Sequence, residues 1–268
     1  MAQEIDVPVA GGTLRVLSWP GDGPLVVAAH GITANALSWA AVAHALAGRV
    51  HLVAPDLRGR AFSSALPGPF GMSSHAGDLV AIADHFGVDK VPLAGHSMGA
   101  FVVAATAFHH PDRVGPVLMV DGGVSFGMPA DVDVDAVLDA MVGPAVRRLA
   151  MTFPSAGDYV AYFRANPALD RYWTPEIEAY ALRDFTGSRS RCNPDAVRAD
   201  ATDMLRNPLP APYPLLWAPR GMTDEPAGLY RADQLDGVDA ELVPDVNHYT
   251  ILLGSGAARV ADRIVALV

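Results

Sequence analysis

Apolar residues in this chain fall into short continuous runs separated by longer stretches of helical spacing. Residues 24–30, 51–56, 91–94 and 115–121 are such runs, dominated by Val, Leu and Ala without strict alternation. That is the pattern of strands covered on both faces, as in a parallel sheet. Helix-spaced segments near 36–47, 74–86 and 100–110 lie between and after them and complete a βα rhythm. Gly48 and Gly87 stop the first two, and Ser73 or Ser74 is placed to cap the start of the second. Residues 4–9 and 13–19, turned at Gly11-Gly12, read as an antiparallel pair ahead of this rhythm.

The rhythm breaks between residue 123 and about residue 211. Four amphipathic segments, near 132–150, 155–165, 175–186 and 194–206, follow one another with no strand-like run among them. Their breaks carry proline: Gly143-Pro144, Asn166-Pro167, Thr174-Pro175, Asn193-Pro194 and Asn207-Pro208. Strand patterning resumes at Tyr213–Ala218 and is followed by a helix expected near 226–236. A strand then runs from Glu241 toward His248, and a last helix covers 257–268. The division predicted is a core of 1–122 with 212–268, and a helical insertion of 123–211. No internal repeat or low-complexity tract is present.

Gly95-His96-Ser97-Met98-Gly99 lies where an apolar run passes into a helix-like run. A Gly-x-Ser-x-Gly in a strand-to-helix turn is a nucleophile elbow. The turn strains the serine backbone, and side chains two residues to either side would collide with the neighbouring strand and helix, so glycine is needed at both flanks. Ser97 is therefore the candidate nucleophile, with the Met98 N–H opening the following helix toward a developing oxyanion. A serine hydroxyl needs a base. Of the nine histidines, His109 and His110 end the elbow helix, His44, His75 and His85 fall in helices, and His51 begins a strand. His96 points away from the nucleophile, with packing its expected role. His248 alone occupies a loop after the last strand and is the candidate general base.

With these residues in this order, the chain resembles the α/β-hydrolase superfamily over nearly its whole length. The matching residues are His30-Gly31, Asp56-Leu57-Arg58-Gly59-Arg60, Gly95 to Gly99, His110-Pro111-Asp112-Arg113-Val114 and Asn247-His248. The resemblance implies an α/β fold: a mostly parallel central sheet flanked by helices, with the insertion as a cap. Extra helices without a role in the site are the alternative. It implies a triad acid in the loop after strand 213–218, where Asp224 is the first carboxylate. Asp121, at the end of the preceding strand, is the rival. It implies an oxyanion hole formed by the N–H groups of Ile32 and Met98, a bracing role for His30, and a structural loop in which Asp56 pairs with an arginine.

Composition narrows the class. At 268 residues, with 51% hydrophobic and 18% charged residues, the chain supports one large core and is not disordered. A formal net charge of −10 argues against nucleic-acid and anionic-membrane partners. No apolar stretch is long enough to span a bilayer, and the N-terminus from Met1 has no signal-peptide pattern, so a cytoplasmic location is expected. Cys192 is the only cysteine, which precludes an intrachain disulfide. Scarce lysine with abundant arginine, alanine and proline fits a GC-rich bacterial source.

The expectation is a cofactor-independent, metal-free serine hydrolase of a small-molecule carboxylic ester, with no stated oligomeric state. Thioesters, lactones, carbon–carbon bonds flanked by ketones and perhydrolysis use the same triad and stay open. A low-turnover small-molecule sensor is the rival from another class. Large apolar residues in the insertion favour medium, uncharged or aromatic esters over long-chain lipids. Its arginines at 147, 148, 164, 171, 183, 189 and 191 read mostly as solvated helix faces, with one available to hold an acidic substrate tail.

Overall fold

The structure is a computed structural model that describes residues 2–129 and 131–268; Met1 of the N-terminal segment and Ala130 of the insertion lie outside the described residues. An eight-stranded sheet runs through it, with strands β1 (Gln3–Val9), β2 (Gly12–Trp19), β3 (Leu25–Ala29), β4 (His51–Pro55), β5 (Val91–His96), β6 (Val114–Val120), β7 (Leu215–Trp217) and β8 (Ala240–Leu242). Their spatial order is β1-β2-β4-β3-β5-β6-β7-β8. Pairing is antiparallel from β1 to β2 and from β2 to β4, and parallel in every other neighbour pair. All of β3 is buried, as its unbroken apolar run requires.

Helices cover both faces. Helices α1 (Ala40–Leu46) and α9 (Gly254–Leu267) pack on one side, and α2 (Met72–His85) and α3 (Met98–His109) pack on the other. A 3₁₀ turn at Ala36–Trp39 leads into α1, so the 36–47 segment is helical but begins tighter than its spacing suggests. The helix expected over 226–236 is instead a loop with a single 3₁₀ turn at Ala232–Gln234. Pro226 and Gly228 break the segment, and a Cβ at Gly228 would overlap the Ala218 carbonyl. The loop is held by burial of Tyr230 and Leu235 against Met119 and Leu215.

Between β6 and β7 the chain forms α4 (Val134–Ala150), α5 (Ala156–Arg164), α6 (Pro167–Asp170), α7 (Pro175–Arg183) and α8 (Pro194–Arg206). Their starts follow local chemistry: Asp133, Ser155, Asn166, Thr174 and Asn193 each accept a hydrogen bond from the first turn, and proline follows three of them. Helix α4 carries Pro144 and breaks at Val142 (φ −131°, ψ 23°), because proline removes a donor and crowds the preceding turn. Helices α5 to α7 gather around Phe153, Tyr159, Phe163, Leu169 and Ala181. Val197, Ala201 and Leu205 of α8 join the main core instead, beside Leu79 and Phe101.

Buried charge ties these helices to the sheet. Arg60 and Asp200 are both fully buried and form an ion pair, and Asp200 also accepts from His75 Nε2 at 3.0 Å and from the Gly71 N–H at 2.6 Å. Asp203 accepts from the Met72 N–H at 2.7 Å. Two α8 carboxylates thus cap α2, and neither Ser73 nor Ser74 does: the helix starts at Met72, which places both serines inside its first turn. Asp56 does pair with an arginine, but with Arg183 of α7 at 2.8 Å and not with its sequence neighbours. Arg58 is instead bidentate on Asp78, at 2.6 and 3.0 Å.

Burial alone would push the Asp200 carboxyl up; Arg60 and His75 overcome that and hold it below the usual aspartate range. Asp200→Ala leaves Arg60 without its carboxylate and His75 and Gly71 without acceptors. It is expected to cost about 3–5 kcal/mol in urea unfolding at neutral pH. A loss under about 1 kcal/mol would show that the pair is dispensable.

Candidate active site

The elbow backbone is the starting point. Ser97 sits at φ 56° and ψ −123°, a strained conformation for a residue with a side chain. Its N–H donates to the Val120 carbonyl at 2.9 Å. A Cβ at Gly95 would overlap the Gly99 backbone, and one at Gly99 would overlap the Ala29 carbonyl, so both flanking glycines are required by close approach. A third is Gly122, where a Cβ would overlap the Ser97 carbonyl. The Gly122-Gly123 pair that follows the 115–121 run was the available sign of that contact.

His248 lies in the loop after β8, on the wall of the cavity that also exposes Ser97. Its Nδ1 is 2.6 Å from Asp121 Oδ2. Asp121 is fully buried; its Oδ1 accepts from the Ala218 N–H at 3.0 Å, and its own N–H donates to Leu216 at 2.7 Å. The structure therefore brings Asp121, and not Asp224, to His248. Asp224 is ion-paired with Arg171 and with Arg220 (3.0 Å), and it accepts from Asn247 Nδ2 at 2.9 Å. The four-residue spacing of Arg220 and Asp224 was the available signal for that pair; Arg171, 53 positions away, gave none.

The two residues before and after the nucleophile also have defined places. His96 donates from Nε2 to the His248 carbonyl at 2.8 Å, with the two rings 4.7 Å apart. Burial first, and His248 second, push its pKa well below the usual histidine range, so it is a neutral brace behind His248. The N–H groups of Ile32 and Met98 make no hydrogen bond among the described residues, and both residues border the Ser97 cavity system. The fully buried Arg60 reaches both: Nε donates to the Ile32 carbonyl at 3.0 Å and Nη2 lies 3.7 Å from Met98 Sδ. That bracing role was not legible from the sequence.

The cavity has three lobes that share Val142 and Met222 between neighbours. One of about 80 Å³ holds Ser97, His248 and His96. A second of about 300 Å³ extends under α4 and α5, and a third of about 40 Å³ is apolar and reaches Phe101 and Leu205. Among the described residues no cluster of three or more His, Cys, Asp or Glu could hold a metal ion. No described helix is long and apolar enough to cross a membrane.

Comparison with known proteins agrees with this architecture. A family model for the α/β-hydrolase fold matches residues 24–227, and the chain belongs to that family. Among curated relatives, a putative carbamate hydrolase (RutD) of Caulobacter segnis is 34% identical over 117 residues, covering 42% of this chain and 44% of the relative. The N-formylmaleamate deformylase of Pseudomonas putida is 34% identical over 149 residues, covering 50% of this chain and 56% of that protein. The chain thus spans about half the length of these relatives. Among solved structures, E-2-(acetamidomethylene)succinate hydrolase superposes with a TM-score of 0.77 at 22% identity, covering 100% of this chain and 99% of the other, a likeness of fold.

His30 carries the clearest pH signature near the site. Its Nε2 accepts the Leu57 N–H at 2.9 Å and its Nδ1–H donates to the Gly31 carbonyl at 2.8 Å, so only the neutral ring fits. Burial pushes its pKa down to about 3. The unfolded chain takes up this proton near 6.5, so the contribution is complete above that pH. It is lost as pH falls from about 6.5 toward 3, at up to about 1.4 kcal/mol per pH unit. Chemical denaturation at stepped pH should show this slope reduced in His30→Gln; an unchanged slope would remove the assignment.

Proposed function

We propose that this protein is a cofactor-independent serine hydrolase acting on a carboxylic acyl bond, an ester in the first instance. The observation that carries the reading is the 2.6 Å Asp121–His248 contact beside a strained Ser97 on one cavity. Ser97 Oγ attacks the substrate carbonyl carbon while His248 Nε2 takes its proton. The carbonyl oxygen becomes an oxyanion facing the N–H groups of Ile32 and Met98. Collapse expels the leaving alcohol, which receives the proton from His248, and leaves an acyl-serine. Water then attacks the acyl carbon, again deprotonated by His248, and the acid departs as Ser97 is restored. Asp121 holds the imidazole with Nδ1–H inward and stabilises its cation without taking the proton.

Two relatives named for carbamate and formyl-amide cleavage favour a second reading, in which the bond broken is C–N. The catalytic steps are the same, with His248 delivering its proton to the departing nitrogen. Paired rates on an ester and the amide of the same acid separate the two. A ligand sensor would show neither.

Ser97→Ala should abolish turnover of 4-nitrophenyl esters, and a fluorophosphonate should label Ser97 alone; retention of a tenth of the activity would overturn the reading. Asp121→Asn is expected to lower kcat on the order of 10⁴-fold by freeing the wrong histidine tautomer. Asp224→Asn should act mainly on stability, with far less effect on kcat. The opposite ranking would return the acid to Asp224. Across acyl chains, kcat/KM should peak at short to medium length; a maximum at long chains with activation at a lipid interface would contradict the confined cavity.

A further inference from the structure

The second cavity lobe is lined by apolar and uncharged polar side chains and one buried cation. Arg148 is the only charged residue among those that line it, and it is 4% exposed. Its Nη2 is shared between the Thr33 carbonyl and Asp184 Oδ2, each at 3.3 Å; its Nε is unpartnered but sealed, and its Nη1 makes no hydrogen bond among the described residues. Asp184 is already occupied by the Tyr159 hydroxyl, by Ser190 Oγ at 2.6 Å and by the Cys192 N–H at 3.2 Å. The guanidinium lies over the Phe163 ring at 4.5 Å, which leaves its in-plane donor edge as the part able to receive a ligand.

Two further donors border the same lobe. The hydroxyls of Tyr180 and Tyr249 make no hydrogen bond among the described residues, and both rings line the first lobe as well as the second. Both phenols are kept protonated at neutral pH: burial pushes each up, and Arg148 offsets only part of that. The wall therefore offers a planar cation and two neutral O–H donors, and no carboxylate lines it. In a chain of net charge −10, long-range attraction does not bring an anion here, so recognition has to come from these short-range contacts.

We propose that this lobe receives a carboxylate of the substrate, bound by the Arg148 guanidinium and the hydroxyls of Tyr180 and Tyr249. The natural substrate is then an ester or amide carrying a free carboxylate a few bonds from the scissile carbonyl. This names a substrate class for the serine-hydrolase site and rests on that reading. It also replaces the expectation of an uncharged substrate, because an uncharged tail would leave the Arg148 edge unpaired when water is expelled.

The test is calorimetric titration of Ser97→Ala, which cannot turn over, with the monomethyl and dimethyl esters of glutarate and adipate. At least one monoester should bind ten or more times tighter than its diester. Arg148→Met in the same background should remove that preference, Arg148→Lys should keep part of it, and Tyr249→Phe should weaken the monoester several-fold while sparing the diester. Tyr249→Phe leaves the Arg148–Asp184 pair in place, so the proposal remains testable if Arg148→Met does not fold. Equal binding of monoesters and diesters, or no binding of either monoester, would overturn it. Turnover of 4-nitrophenyl acetate by the wild type alongside that result would leave the serine-hydrolase reading standing. Arg148-dependent monoester binding with no turnover of any ester would instead overturn the hydrolase reading and keep the anion site.

Discussion

A guanidinium sealed from water is the constraint around which the site is arranged. Arg60 has no exposed surface, so its charge requires a carboxylate, and the one it meets is Asp200 from α8, some 140 residues along the chain. The same guanidinium holds the Ile32 carbonyl and lies against Met98 Sδ, and the same carboxylate holds the Gly71 N–H at the start of α2. One ion pair thus links the insertion, the loop after β3, the elbow helix and α2. Helix α8 cannot lift from the sheet without leaving a buried charge unpaired, which is far more costly than losing an exposed pair. This helix is a structural part of the core as much as a cover over it.

The elbow adds a second constraint, of shape. Ser97 is held at positive φ at a cost on the order of 1–3 kcal/mol. Backbone contact from Gly95, Gly99 and Gly122 leaves it no alternative place. Gly122 directly follows Asp121, so the approach that confines the serine also fixes where the carboxylate emerges from β6. The positions of Ser97 and of Asp121 are consequences of the same packing.

Much of this was legible in the sequence because it depends on local chemistry. Continuous apolar runs mark parallel strands, proline and cap residues mark the insertion helices, and a Gly-x-Ser-x-Gly between strand and helix marks the elbow. What was not legible depends on partners far apart in the chain. Asp56 finds Arg183 and Asp200 finds Arg60 across 127 and 140 positions, where spacing carries no information. The segment 226–236 is interrupted by Pro226 and Gly228 near its start, and its remainder is held open because Tyr230 and Leu235 reach a hydrophobic cluster beside β6 and β7. Arg148 was one of nine insertion arginines, and nothing in its spacing separates it from the exposed Arg147 beside it.

The two competing aspartates differ in what each of them holds. Both hold the same loop, at adjacent residues. Asp121 holds the His248 ring with one oxygen, while its other oxygen is committed to the Ala218 N–H, so the contact has a single geometry. Asp224 holds the neighbouring Asn247, whose Nδ2 also reaches the Ala168 carbonyl of α6. Asp224 shares its charge with two arginines, one of them largely exposed. A carboxylate divided in that way has no free oxygen to orient an imidazole, but it can anchor the loop that carries one. Orientation of the His248 ring and placement of its loop are therefore divided between two strand ends, and a rule that expects one carboxylate after β7 finds the loop anchor rather than the partner of His248.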